Sequence, residues 1–208
     1  MLQNLAKRRE KNRYFSDSYT FKRKGNNKRG KTAKSPGKPK KTKTSFYFSR
    51  LSPIMPKVAL GGTFQYLHDG HARLIEKAFE IAGDGKVHIG LTSDEMLQKS
   101  HSVESYKIRE KRLLGSLKKM EIPIQKYEVT RLNDPYGPTL EEDFDYIVVS
   151  PETYPVALKI NCIRKEKGKS PLEIVYVEYV MAEDGVPISS TRIAKGEIDR
   201  HGRLKTEA

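Results

Sequence analysis

From Lys57 onward the sequence predicts an α/β domain, a Rossmann-like doubly wound sheet of five parallel strands covered by helices. Three observations predict it. Short β-branched apolar runs alternate with stretches of helical period. Those runs are nearly continuous in Val, Ile and Leu, as strands covered on both faces must be. The first run also ends in Gly61-Gly62 shortly before a helix, the place where such sheets receive ligands.

The expected strands are residues 57–60, 87–91, 125–129, 146–149 and 173–177. Between the first two, Leu74, Ile75, Ala78, Phe79 and Ala82 recur every three or four positions, which lines up one face of a helix, and Gly83 ends it. Ile108, Leu113, Leu114, Leu117 and Met120 mark a second amphipathic helix, and a third is expected over about 155–167. Residues 133–137, Asn-Asp-Pro-Tyr-Gly, have the composition of a turn.

A chain of 208 residues suits one domain with an appendage. The single cysteine, Cys162, rules out an internal disulfide framework and a Cys-rich zinc site, and predicts a reducing, cytoplasmic setting. No run approaches the roughly 18 apolar residues of a membrane span, and the mean hydropathy is −0.69. The net charge of +14 is unevenly spread. Residues 1–56 hold 17 Lys+Arg against Glu10 and Asp17, which leaves 23 basic and 24 acidic residues from Lys57 onward. A basic face on the domain itself, the signature of nucleic-acid recognition by a fold, is therefore not indicated.

Residues 1–54 lack periodicity and apolar content, so they are read as a disordered basic extension to a domain over 55–208. Three readings of it stand. It is an upstream mis-assigned start, with the true start at Met55. It is a basic arm that touches nucleic acid non-specifically, with Tyr14, Phe15, Tyr19 and Phe21 available to stack on bases. Or it is a targeting peptide.

Two segments carry chemistry. After the first strand comes Gly61-Gly62-Thr63-Phe64-Gln65-Tyr66-Leu67-His68-Asp69-Gly70-His71, which opens the first helix. It matches neither G-x-G-x-x-G nor the P-loop, which disfavours dehydrogenases and P-loop enzymes. It instead places two imidazoles at a helix mouth, where N–H donors and the dipole favour a triphosphate, with Gly70 leaving the approach open. A capping pair or a zinc site is the alternative, and zinc lacks a third ligand at a sensible spacing. Near the other end, Ser189-Ser190-Thr191-Arg192 begins a short helix. It reads either as an ordinary N-cap or as a cradle of hydroxyls, N–H groups and a guanidinium for the β- and γ-phosphates.

Together these segments resemble the nucleotidyltransferase superfamily with a T/H-x-G-H loop and an ISST-type loop. The stretches Val58–His71, Ile89–Glu95, Ile147–Tyr154, Ile160–Arg164 and Ile188–Ile193 extend the resemblance to archaeal-type phosphopantetheine adenylyltransferases, similar in turn to the adenylyltransferase domain of eukaryotic coenzyme A synthase. The resemblance implies transfer of an adenylyl group from ATP to 4'-phosphopantetheine, with magnesium carried by the nucleotide phosphates. By the same resemblance His71 and Lys99 are catalytic, and Gly62, Thr63, Phe64, His68, Gly70, His71, Ser189, Ser190, Thr191 and Arg192 bind ATP. Thr63, Lys99, Asn161 and Arg164 contact the acceptor. Lys99 reads equally as a solvated lysine, and Asn161 and Arg164 as members of an exposed helix face. Ser150-Pro151-Glu152-Thr153 departs from the arginines that bacterial relatives carry after the fourth strand and agrees with the archaeal type. Transfer to nicotinamide mononucleotide, flavin mononucleotide or glycerol 3-phosphate is the alternative within this chemistry, and nucleic-acid binding through the extension is the alternative outside it.

Overall fold

The computed structural model describes residues 55–97 and 103–205. Five strands, β1 (Lys57–Gly62), β2 (Lys86–Thr92), β3 (Tyr127–Leu132), β4 (Tyr146–Val149) and β5 (Glu173–Tyr176), form one sheet in the order β3-β2-β1-β4-β5. Every neighbouring pair is parallel. The helices are α1 (Asp69–Ala82), α2 (Tyr106–Lys119), α3 (Tyr154–Glu166) and the short α4 (Ser190–Ala194). Winding runs outward from β1 through β2 to β3, then returns across the sheet to β4 and β5. The switch point therefore lies between β1 and β4, and the crevice at their carboxyl ends is where this topology exposes backbone to a ligand.

The register sorts the side chains. Val58 pairs with Val87, and Leu60 with both Ile89 and Val148, so these residues share a face. That face packs on Leu74, Ile75 and Ala78 of α1 and Leu113 and Leu117 of α2. Ala59 and Ile147, on the opposite face, pack with Ala157 and Ile160 of α3. Each fully buried Leu or Ile contributes roughly 1.5–3 kcal/mol, so this alternation pins the register. A third, small cluster of Ala182, Ile188 and Ile198 supports α4.

Differences from the expected elements have local causes. The strand expected at 125–129 begins two residues later, behind a 3-10 turn at Ile124–Lys126. Its partner decides this, because β2 pairs with it from Val87↔Tyr127 to Thr92↔Leu132 and leaves Ile124 76% exposed. β1 runs two residues further than expected, through Gly61↔Gly90 and Gly62↔Leu91, since ladder hydrogen bonds need no side chain. On α2 the buried stripe is Arg109, Leu113 and Leu117, while Ile108 and Leu114 face outward. Gly83 ends α1 as expected, at φ 52°, with its N–H donating to the Phe79 carbonyl.

Candidate active site

A cavity of about 870 Å³ opens at the carboxyl ends of β1, β2 and β4. The β1–α1 loop and the 186–192 segment line it together, with Thr130, Tyr136 and Phe144 on its α3 side. The two motifs, more than a hundred residues apart in the chain, thus share one space. Ser190 ties them, donating its hydroxyl to the Tyr66 carbonyl at 3.4 Å.

The β1–α1 loop turns sharply at Phe64, whose φ of +50° is left-handed and costs an L-residue about 1–2 kcal/mol. Full burial of its ring offsets that cost. The ring lies against His71, centroids 5.1 Å apart, so Phe64 forms the floor of the site and braces the imidazole. His68 sits in extended conformation as the N-cap of α1, its Nδ1 accepting from the Gly70 N–H at 3.1 Å. That bond leaves the His68 proton on Nε2 in the neutral ring. A Cβ at Gly70 would come within 2.9 Å of His68 Cε1, so this glycine is required by the stacked imidazole beside it.

The two rings lie 4.0 Å apart at 41°. Burial is the main cause of their low basicity. It pushes His68 down to about 4 against the opposing pull of Asp69. It pushes His71 down to about 3, helped by His68. The Tyr66 carbonyl pulls His71 weakly upward without completing a hydrogen bond to Nδ1, which is buried and unpartnered. Both imidazoles are therefore neutral donors at pH 7, and Nε2 is the His71 nitrogen left for a ligand. The helix mouth offers fewer N–H groups than its position predicts. Asp69 N–H donates to the Arg200 carbonyl and Gly70 N–H to His68.

At the second motif Ser189 is the N-cap of α4, accepting from the Arg192 N–H at 3.3 Å. The capping reading therefore holds for Ser189, and Ser189, Ser190, Thr191 and Arg192 all line the cavity. Arg192 has another occupation. Its guanidinium pairs with Asp184 and, at 2.9 Å through Nε, with Glu197. Its charge braces the turn that carries the motif.

The structure does not bring Asn161 and Arg164 to the cavity. Asn161 donates to the Leu172 carbonyl and accepts from its N–H, both at 2.8 Å, spending its amide on the α3–β5 connection. Arg164 is 1% exposed, which also corrects the exposed-face reading. Its donors reach the carbonyls of Ser170, Thr139 and Glu142. Carbonyl cages of this kind satisfy a buried guanidinium where no carboxylate is near. Lys99 lies outside the described residues.

Three residues of this region escaped the sequence reading. Gln65 is 5% exposed and accepts through Oε1 from the Glu104 N–H. His88, on β2, meets the edge of Phe144 on the α3 side of the sheet; burial and the Lys57 charge lower its basicity. Arg109 is fully buried and donates to the Thr63 carbonyl. A charge on the apolar stripe of α2, four residues before Leu113, was the available signal.

The arrangement presents neutral imidazoles, hydroxyls and backbone to a polyanion. Residues 59–196 match the profile of the cytidylyltransferase-like family. The chain is 84% identical over 154 residues to the phosphopantetheine adenylyltransferase of Methanosarcina mazei, a match covering 74% of this chain and 100% of the relative. To the phosphopantetheine adenylyltransferase of Archaeoglobus fulgidus it is 49% identical over 153 residues, covering 71% and 99%. Among solved structures, a protein with unknown function from Archaeoglobus fulgidus is 45% identical with a TM-score of 0.52, covering 58% of this chain and 88% of that one.

Proposed function

The chain belongs to the cytidylyltransferase-like family, among its archaeal phosphopantetheine adenylyltransferases, and from that premise we propose that it transfers an adenylyl group from ATP to 4'-phosphopantetheine. The products are dephospho-coenzyme A and pyrophosphate. The observation that carries this reading is the meeting of His71 with Ser190 and Thr191 across one cavity at the switch point of the sheet.

An oxygen of the acceptor phosphate forms a bond to the α-phosphorus as the α–β bridging bond breaks, and pyrophosphate leaves with the electron pair. The acceptor is already an anionic nucleophile, so the protein supplies alignment and charge stabilisation. Thr63 holds the acceptor phosphate and His71 donates from Nε2 to an α-phosphate oxygen. The role requires the neutral ring to carry its single proton on Nε2. Gly62 and His68 line the nucleotide site, and the segment from Ser189 to Thr191 receives the outgoing pyrophosphate, Ser189 and Thr191 through their hydroxyls and Ser190, whose hydroxyl turns to Tyr66, through its backbone N–H. The rest of the acceptor lies on the α3 side, against Thr130, Tyr136 and Phe144.

The lining holds two carboxylates, Glu152 and Glu178, among imidazoles, hydroxyls and backbone groups, and we place magnesium on the nucleotide phosphates. When bound, it supplies further neutralisation of the charge developing on the triphosphate. Among the described residues no helix is long and apolar enough to cross a membrane, and we place the protein in the cytoplasm.

Purified protein with ATP and magnesium is expected to release pyrophosphate with 4'-phosphopantetheine. It is expected to turn over nicotinamide mononucleotide, flavin mononucleotide and glycerol 3-phosphate far less well, by up to roughly 10⁴-fold where buried polar groups lose their partners. ATP is expected to be preferred to CTP. Comparable kcat/KM with another acceptor would overturn the proposed substrate while leaving the transfer chemistry.

A further inference from the structure

Arg109 heads the fully buried side chains of the described residues, 0% exposed, with a charge that is costly to bury unless every donor is used. Its Nε donates to the Glu104 carbonyl at 2.9 Å. Nη1 is shared between the carbonyls of Thr63 at 2.9 Å and Thr92 at 2.8 Å. Nη2 meets Asp94 Oδ1 at 2.8 Å.

The location of these bonds gives them meaning. The last rung between β1 and β2 is Gly62↔Leu91. One residue beyond it, where the strands part, Nη1 spans the carbonyls of Thr63 and Thr92. The guanidinium thus adds one more rung to the sheet and sets the point at which β1 leaves it. The next residue, Phe64, takes the left-handed turn that aims the loop at His68 and His71. A shift of the Thr63 carbonyl would rotate the Thr63–Phe64 peptide and swing Thr63, which lines the cavity. A buried neutral residue would have packed α2 against the sheet as well, so packing alone does not account for an arginine there.

We propose that Arg109 is a positioning residue of the active site, one that acts through Thr63. This rests on the adenylyltransferase reading given above. The planar fork holds two carbonyls at fixed separation, which a lysine ammonium cannot reproduce.

The test uses the full chain with Arg109→Lys, which keeps the charge and loses the fork, assayed at a temperature where circular dichroism shows it folded. The expected result is a kcat lower by roughly 10- to 100-fold, the scale of a small misplacement of an aligned group, with KM for ATP changed by less than about 3-fold. In a Thr63→Ala background the same substitution is expected to cost less than about 3-fold, because the group it aligns is already gone. A folded Arg109→Lys enzyme with kcat within about twofold of wild type, or an undiminished loss in the Thr63→Ala background, would overturn the proposal. If Arg109→Lys does not accumulate as folded protein, Asp94→Ala is read instead, since it frees Nη2 while sparing both strand carbonyls. It is expected to lower kcat by about fivefold in wild type and not in Thr63→Ala, and an unchanged kcat would be decisive against Arg109. Wild-type turnover in the same assay carries the adenylyltransferase reading, and the ratios between variants carry the role of Arg109, so the two fail separately.

Discussion

At the scale of single residues, the site works with imidazoles that have given up their charge. His71 is buried against Phe64 and His68, and a neutral ring avoids the desolvation cost that an imidazolium would meet there. Replacing His71 with Ala is expected to lower kcat by roughly 10²- to 10³-fold, as for loss of one donor aimed at transition-state charge. Circular dichroism checks that the fold survives. A variant within a few-fold of wild type removes His71 from that role. The same burial makes stability depend on pH. Both histidines have folded-state pKa values below the ordinary 6.5, at about 4 and about 3. As pH falls from 6.5 towards 4, the unfolded chain takes up protons that the folded chain refuses, so stability is lost through that window and is fully present above it. The Tm is expected to fall between pH 7 and pH 4.5, with a shallower slope in His68→Gln/His71→Gln. Asp94 and Asp184, held below the ordinary carboxylate range first by the Tyr106 N–H and by Arg192 respectively, titrate beneath that window. An equal slope in the double variant would reject an origin in these two rings and leave His88, whose basicity burial also lowers.

At the scale of elements, arginines do much of the joining. Arg164 fastens α3 to the loops at Thr139, Glu142 and Ser170, and Asn161 fastens it to Leu172 at the entry to β5. Both are therefore expected to behave as stability residues. Arg164→Met leaves buried carbonyls without partners and is expected to cost about 2–4 kcal/mol in denaturant unfolding. Its kcat and its KM for 4'-phosphopantetheine are expected to stay within about twofold of wild type. A large rise in that KM, with stability intact, would instead return Arg164 to the acceptor site. Arg192 does the same work for α4 through Asp184 and Glu197, which is why the hydroxyls of that motif, and not its guanidinium, are assigned to pyrophosphate. The period of α1 was legible because apolar spacing determined its face, whereas the buried stripe of α3 includes Arg164, which the sequence reading places on an exposed face. The period of α2 was misjudged because its stripe includes a charge, and only the carbonyls around Arg109 explain how it is satisfied.

At the scale of the molecule, the charge and the chemistry are separated along the chain. The net charge of +14 is concentrated in residues 1–56, while the motifs, the sheet and the cavity all lie beyond Met55. A chain covering residues 55–208 is expected to fold, to melt cooperatively and to retain full kcat, and its affinity for DNA or RNA at low salt is expected to drop relative to the full chain. Thermal melting and the pyrophosphate assay check the first part, and a salt-dependent shift assay the second. Loss of folding on truncation would show that the first 54 residues contribute structure.

What the sequence determined by itself was whatever depends on local pattern. Five apolar runs, the period of α1, Gly83 as a stop and the two loop motifs can each be read from a short window, because backbone geometry and side-chain spacing act within one. The tertiary structure alone decided which polar groups had donors to spare. Asn161, Arg164 and Arg192 stand in motif-bearing stretches, yet each spends its side chain on partners that no spacing rule connects to it. Gly70 makes room for a ring two residues away, and Arg109 reaches Thr63 across forty-six positions. Hydrogen bonds and burial are settled by distance in space, and only the folded sheet brings β1, β2 and α2 near enough to settle them.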